Sequence, residues 1–341
     1  MNSFIKVGLI VVASIFVSGC AQKVRIKALN PAEVGALASK KKIAVSEFKN
    51  DHIGLSGKIE AEVAKQKLDK KHYFTVLSRK NMDKIIAEQK LQSSEMMDEK
   101  TATKVGKVIG VQAIISGEVT SNAVSGSYKV DKEKCLKYTK TKDGLECSKY
   151  RYYKVTCRTT KASVSANINI IDVENTTIIY GDTVVKDYSA DSCHSHGNIL
   201  SRYQALNKLA AKIADEFVYK LTPNYTYFDV TLLNSIELER VTAVQNKKFE
   251  AALAYIKVAR YEKAKKLLGS LMDEFDGKSY VVAYVYGVVY EATGDFDKAK
   301  EMYTIADDDT IEPVEEINLA INRIDSLIAN RDEARKQINA R

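Results

Sequence analysis

The stretch YFTVLSRKNMDKIIAEQKLQSSEMMDEKTATKVGKVIGVQAIISGEV, residues 73–119, holds four elements in a row. A short apolar run (Phe74, Val76, Leu77) ends at Ser78, whose hydroxyl can accept from the free N–H groups of a following helix. Met82, Ile85, Ile86 and Leu91 then recur at three- and four-residue steps, the stripe of a helix lying on a sheet. Ser93 and Ser94 break that pattern. Asp98 restarts a helix with Ala102, Val105 and Ile109 inward, Gly110 offers a left-handed closing residue, and the strand VQAIISGEV follows. Strand, two helices and strand make part of an α/β layer domain, and carry no chemistry by themselves.

Three features of this stretch resemble the core of the CsgG-like family: a strand ending in Leu77-Ser78-Arg79, a helix with Ile85, Glu88, Gln89 and Leu91, and the spacing Gly106, Gly110, Ile114, Gly117. That family includes the curli secretion component and is similar in fold to the LpoB-type activators of penicillin-binding proteins and to the N-terminal domain of TolB. The resemblance covers residues 40–222 and implies a mixed sheet with packed helices.

Around this core, composition divides the chain. Its 341 residues suit two domains at about 150 residues each, and 45% apolar content supplies a core. Residues 1–230 hold 36 basic and 24 acidic side chains, whereas 231–341 hold 16 and 20. The front is basic and the back acidic, which places a boundary near residue 230.

The first 20 residues read as a lipoprotein signal peptide. Lys6 precedes the apolar run VGLIVVASIFV, too short for a permanent span, and the run ends in Val17-Ser18-Gly19-Cys20. This resembles a bacterial lipobox, in which Cys20 becomes the lipidated first residue. Ala21 in place of Asp implies an outer-membrane lipoprotein on the periplasmic side.

Residues 21–40 show no strong period and read as a tether. The α/β domain runs over 41–222: a strand at Lys41–Asp51, a helix at Leu55–Leu68 with Ile59 and Val63 inward, then the opening stretch. Residues 126–161 carry eleven Lys or Arg with tyrosines among them, so 121–160 is expected as a basic hairpin insertion with Asp143-Gly144 near its turn. Single-stranded nucleic-acid binding uses similar residues, but secretion argues against such a partner. Lys161–Tyr188 reads as a hairpin, with Val164, Ala166, Ile168 and Ile170 alternating before the turn ENTT and Ile178, Tyr180 and Val184 after it. A helix over 197–221 presents Ile199, Tyr203, Leu206, Leu209, Ile213 and Phe217 and stops before Pro223.

After a linker at 223–235, residues 236–341 are helical and repeat. Tyr255 and Tyr290, Tyr261 and Phe296, and Ala264 and Ala299 are each 35 residues apart. The second copy resembles a tetratricopeptide repeat through Gly287, Tyr290, Gly294, Phe296, Ala299, Tyr303 and Ala306; the first is degenerate, with Ala252 where Gly287 stands. The helices from Pro313 to Arg341 are expected to cap the stack. The resemblance implies a protein-binding groove at Phe249, Leu253, Ile256, Tyr284, Val288 and Glu291; the alternative is that the repeats only pack on the α/β domain.

The sequence holds no P-loop, G-x-S-x-G, H-E-x-x-H or dinucleotide fingerprint, and Cys193-His194-Ser195-His196 lacks the partner ligands of a zinc site. We therefore expect a non-enzyme without cofactor or metal. Its partners would be cell-envelope proteins through the repeats, outer-membrane lipid through the anchor, and further copies of itself. The resemblance offers three roles: an assembly or adaptor lipoprotein, a curli-type secretion channel subunit, or an LpoB-like activator of peptidoglycan synthesis.

Four cysteines remain after Cys20, and four allow three pairings. With a turn near 174–177, opposite residues of the second hairpin sum to about 350 or 351, and 157 plus 193 is 350, which sets Cys157 across from Cys193. Cys135 and Cys147, flanking Asp143-Gly144, are left for each other. For the anchor, the expected outcome is a lipid-modified Cys20 as the mature first residue by intact-peptide mass, and a Cys20→Ser variant that leaves the outer-membrane fraction. A Cys20→Ser protein that still floats with outer membrane removes the anchor from the account.

Overall fold

The computed structural model describes residues 22–77, 99–142, 144–193 and 199–340. The lipobox, the helix expected at Met82–Leu91 and the two histidines after Cys193 lie outside the described residues. The chain forms two compact units: Leu29–Asn224 with Asn330–Arg341, and Tyr225–Ala329 with the chain through Ala28.

The first unit is α/β. Strands β2 (Lys42–Val45), β5 (Thr75–Leu77), β6 (Ala113–Thr141), β7 (Gly144–Asp172) and β8 (Thr177–Ser192) form one sheet in the order β5-β2-β6-β7-β8. The pairs of β2 with β5 and β6 are parallel, whereas β6, β7 and β8 run as an antiparallel meander. The sheet is therefore mixed. Two short strands, β3 (Lys67–Leu68) and β4 (Lys71–His72), form a separate antiparallel pair.

Strand alternation sends side chains to both faces, and helices cover both. Ile43, Val45, Ile115, Val164, Ala166, Ile168 and Ile170 share a core with helices α2 (Leu55–Lys65) and α4 (Arg202–Tyr219). On the opposite face Ala44, Ile114 and Ile171 meet Val105 of α3 (Glu99–Ile109), which closes at Gly110 with φ +71°. Local chemistry fixes the helix starts. Asp51 accepts from the backbone N–H of Leu55 and Ser56, both at 2.8 Å, while Ser201 and Gln204 form a capping box. The buried stripe of α4 is Ala205, Leu209, Ile213 and Phe217; Tyr203, expected inward, is 79% exposed because it sits at the first turn, beside the cap.

The second unit is helical: α5 (Ala243–Lys257), α6 (Tyr261–Glu274), α7 (Tyr280–Ala292), α8 (Phe296–Asp308) and the start of α9 (Glu315–Asn339). Second helices of the two copies begin at Tyr261 and Phe296, 35 residues apart, and Ala264 and Ala299 are both fully buried. A Cβ added to Gly287 would stand 2.6 Å from the Tyr303 ring, so α7 and α8 meet at a distance that only glycine allows.

Three expectations need correction. The tether at 21–40 holds strand β1 (Lys23–Asn30) and a short helix α1 (Gly35–Ala38): Val24, Ile26 and Ala28 are buried while Lys23, Arg25 and Lys27 face water, a period of two hidden by three cations. The linker at 223–235 holds β9 (Asn224–Thr231), which pairs with β1. Nor is the C-terminal helix solely a cap. Ile317, Ala320, Ile324 and Leu327 join the helical core, but from Asn330 the helix belongs to the α/β unit.

There Gln337 accepts from the buried N–H of Ala32 at 2.8 Å, and the Tyr73 hydroxyl donates to Ala38 O at 2.7 Å and Gln337 O at 3.3 Å. Burial pushes the Tyr73 phenol up to about 12. Gln337→Ala is expected to strand the Ala32 N–H and cost about 1–3 kcal/mol, read as a lower urea midpoint. An unchanged midpoint would mean that this docking contributes nothing to the fold.

Candidate functional site

The β6–β7 hairpin starts in the core and leaves it. Its ladder pairs Ala113 with Asp172 at the base and Thr141 with Gly144 at the tip, in near-continuous register with a slip around Lys137. Up to Val119 the strands carry buried apolar residues, whereas from Asn122 to Lys140 no β6 residue is buried. A hairpin can leave the protein in this way because each strand satisfies the other's backbone groups across one edge.

Two disulfides secure it. Cys157 joins Cys193, the register of β7 with β8 running Arg158 against Ser192 and Thr160 against Ala190, so that paired residues sum to 350. Cys135 joins Cys147 near the tip, with Cα atoms 5.8 Å apart. The first pair follows the register expected from the turn; the second is the pair left over, and it forms where the ladder slips around Lys137.

Alternation divides the exposed arms into two faces. One carries Tyr128, Val130, Lys132 and Lys134 opposite Cys157, Val155, Tyr153 and Arg151; the other carries Lys129, Asp131 and Glu133 opposite Thr156, Lys154 and Tyr152. Each face bears several charges within the length of one membrane strand, about 9–11 residues. Tyr128 donates to Asp191 at 3.2 Å, and that hydrogen bond raises its phenol above the ordinary value.

In the helical unit the six positions offered as a groove are all buried: Phe249, Leu253, Ile256, Tyr284, Val288 and Glu291. Apart from Tyr284, which also borders a cleft between β9 and α9, they do not line an open channel, because the chain's own β1, β9 and α9 share their core through Val24, Ile26, Val230 and Ile324. The Tyr284 hydroxyl donates to Thr231 O at 2.7 Å. Arg323 of α9 grips Glu291 with both prongs, Nε to Oε1 at 2.8 Å and Nη2 to Oε2 at 2.7 Å, and the Tyr303 hydroxyl also donates to Glu291. Burial works against the charge on Arg323, but its paired bonds to Glu291 outweigh that and raise its pKa; burial and the Glu291 charge raise the Tyr303 phenol. Sequence gave no warning of this network, since Glu291 and Arg323 lie 32 residues apart.

Among the described residues no cluster of three His, Cys, Asp or Glu could hold a metal, and no helix is long and apolar enough to cross a membrane. A mixed α/β sheet whose antiparallel meander extends into a stapled, solvent-exposed hairpin defines the class. Residues 27–218 match the family described as the curli production assembly/transport component CsgG, 192 of 341 residues, and the chain belongs to that family. No curated protein matches it. Among solved structures it is similar to the PelC dodecamer from Paraburkholderia phytofirmans, with 13% identity over 59% of this chain and 97% of that one and a TM-score of 0.25. It is also similar to lipoprotein GNA1162 from Neisseria meningitidis, with 13% identity over 52% and 97% and a TM-score of 0.27.

Glu291→Ala is expected to leave Arg323 without its anion and to cost about 3 kcal/mol, the low end for a broken buried pair because one side of Arg323 keeps water. Urea unfolding monitored by helical circular dichroism reads this loss. A cost below about 0.5 kcal/mol would place the pair among ordinary surface bridges.

Proposed function

We propose that this protein is an outer-membrane lipoprotein, held at the periplasmic face by lipid on Cys20, that serves as an assembly or adaptor component and holds other envelope proteins in place. Its role is binding rather than catalysis. The observation that carries this reading is the union of a CsgG-family α/β unit with a second unit of helical hairpins outside the family match. We read those hairpins as tetratricopeptide-like, a scaffold whose usual work is to hold another polypeptide.

The hairpin supports an adaptor over a channel subunit. A strand inserted as a barrel needs one apolar face toward lipid, and each charge at mid-bilayer there costs about 2–4 kcal/mol. Lys132, Lys134 and Arg151 occupy one face and Lys129, Asp131, Glu133 and Lys154 the other, so neither orientation inserts without several such costs. On this reading the arm lies in water. The same fault applies to β8, with Lys186, Asp187 and Asp191 along its length.

Purified lipidated protein, reconstituted in planar bilayers, is expected to show no stepwise ion conductance, and the Cys20→Ser form is expected to be extracted from membranes by carbonate. Stepwise conductance, or a heat-resistant ring that resists carbonate without the lipid, would establish the channel reading instead.

A further inference from the structure

We infer that the helical unit binds an extended, basic segment of a partner protein as a third strand along the outer edge of β9. The inference rests on the reading of this chain as a protein-binding component and relocates the site from the buried groove to an open one. Strands β1 and β9 form a sheet of only two strands. The Leu232 N–H donates to Gln22 O at 2.8 Å, Arg25 bonds Asp229 at 3.1 Å, and Lys27 lies 3.6 Å over the Tyr225 ring. Partners step in opposite directions, so the pair is antiparallel.

In such a pair alternate residues turn both backbone groups toward the neighbour and the others turn them away. Because Leu232 faces β1, Val230 and Phe228 do also, and Thr231 and Asp229 face outward. The Thr231 carbonyl meets this expectation by accepting from Tyr284, on the side away from β1. The N–H and C=O of Asp229 point the same way.

A cleft of about 490 Å³ runs along this edge. One wall is the four consecutive residues Phe228–Thr231, as a strand seen edge-on provides, and the other is Glu315, Glu316, Leu319 and Arg323, one side of α9. An extended segment can add to such an exposed sheet edge as a further strand.

Charge selects what enters. Arg323 is committed to Glu291, and Asp229 to Arg25. Glu315 and Glu316 have no cation partner among the described residues, and residues 307–316 hold six carboxylates and no Lys or Arg. Leu319, 56% exposed, supplies an apolar patch beside them. A strand with lysine or arginine alternating with aliphatic residues complements both, its backbone bonding to β9 and its cations meeting the two glutamates.

The test titrates the full chain with a fluorescent synthetic peptide of alternating lysine and valine, read by anisotropy. Saturable binding is expected, weakened about tenfold or more by the pair Glu315→Lys and Glu316→Lys, and lost when alternate peptide amides are N-methylated, which keeps every side chain but removes the strand donors. Hydrogen exchange at the Asp229 amide is expected to slow when the peptide binds. Equal binding by the N-methylated peptide would reduce the contact to surface charge and overturn the added strand, as would indifference to the double substitution. Self-association of the protein that is blocked by a peptide of residues 126–134 and by the same double substitution would make the occupant a second copy and overturn the partner protein. None of these outcomes bears on the lipid anchor or the channel, which fractionation and conductance decide separately.

Discussion

The pairing of β6 with β7 governs the α/β unit. One antiparallel ladder, running from Ala113 and Asp172 to Thr141 and Gly144, does two jobs along its length. Near the base its side chains are the centre of two cores, with Ile115 and Ile168 on one face and Ile114 and Ile171 on the other. Beyond Val119 only β7 still buries apolar side chains, Val164, Ala162 and Cys157, and past Cys157 toward the tip backbone hydrogen bonds and the Cys135–Cys147 disulfide hold the ladder. Register is therefore set where apolar residues would be exposed by a one-residue slip, and transmitted outward to a part of the hairpin whose own sequence would fix it weakly.

This explains what could be read from the sequence. The base of the hairpin and the helices α2, α3 and α4 follow from apolar periodicity, because each buries one side against a sheet. The disulfide of Cys157 with Cys193 could be read because a short turn makes register arithmetic; the turn falls at 173–176, one residue earlier than expected, and the irregularity between Ile170 and Ile171 restores the sum of 350 that brings the two cysteines together. Strands β1 and β9 were obscured for a physical reason as well. Each alternates, but with cations or tyrosines on the outward face and a partner some 200 residues away, so no local turn announces them.

The helical unit shows a limit of reasoning by resemblance. Residues that would line a groove in a repeat stack are apolar whether the groove is open or filled, and the sequence does not distinguish the two. Here Glu291 has a buried carboxylate matched by Arg323 from α9, and Tyr284 reaches the backbone of β9. Both contacts come from elements outside helices α5 to α8. Their presence moves the accessible surface to the margin between β9 and α9, where charged and apolar side chains line a cleft and no repeat pattern extends.

Strand β1 and the end of α9 also impose an order on folding. The helical core needs Val24 and Ile26 from the start of the chain, while the α/β unit needs Gln337 from its end. As the chain is made, β1 waits for β9, whose Asp229 lies 204 residues after Arg25, and the Ala32 amide waits for Gln337, 305 residues after it. Contacts of such long sequence separation form slowly, since loop closure precedes any gain from them. A chain truncated at residue 224 would thus carry an unpaired strand and an unmet amide rather than a finished domain, and a protease or chaperone could distinguish the incomplete protein from the complete one by those two exposed features.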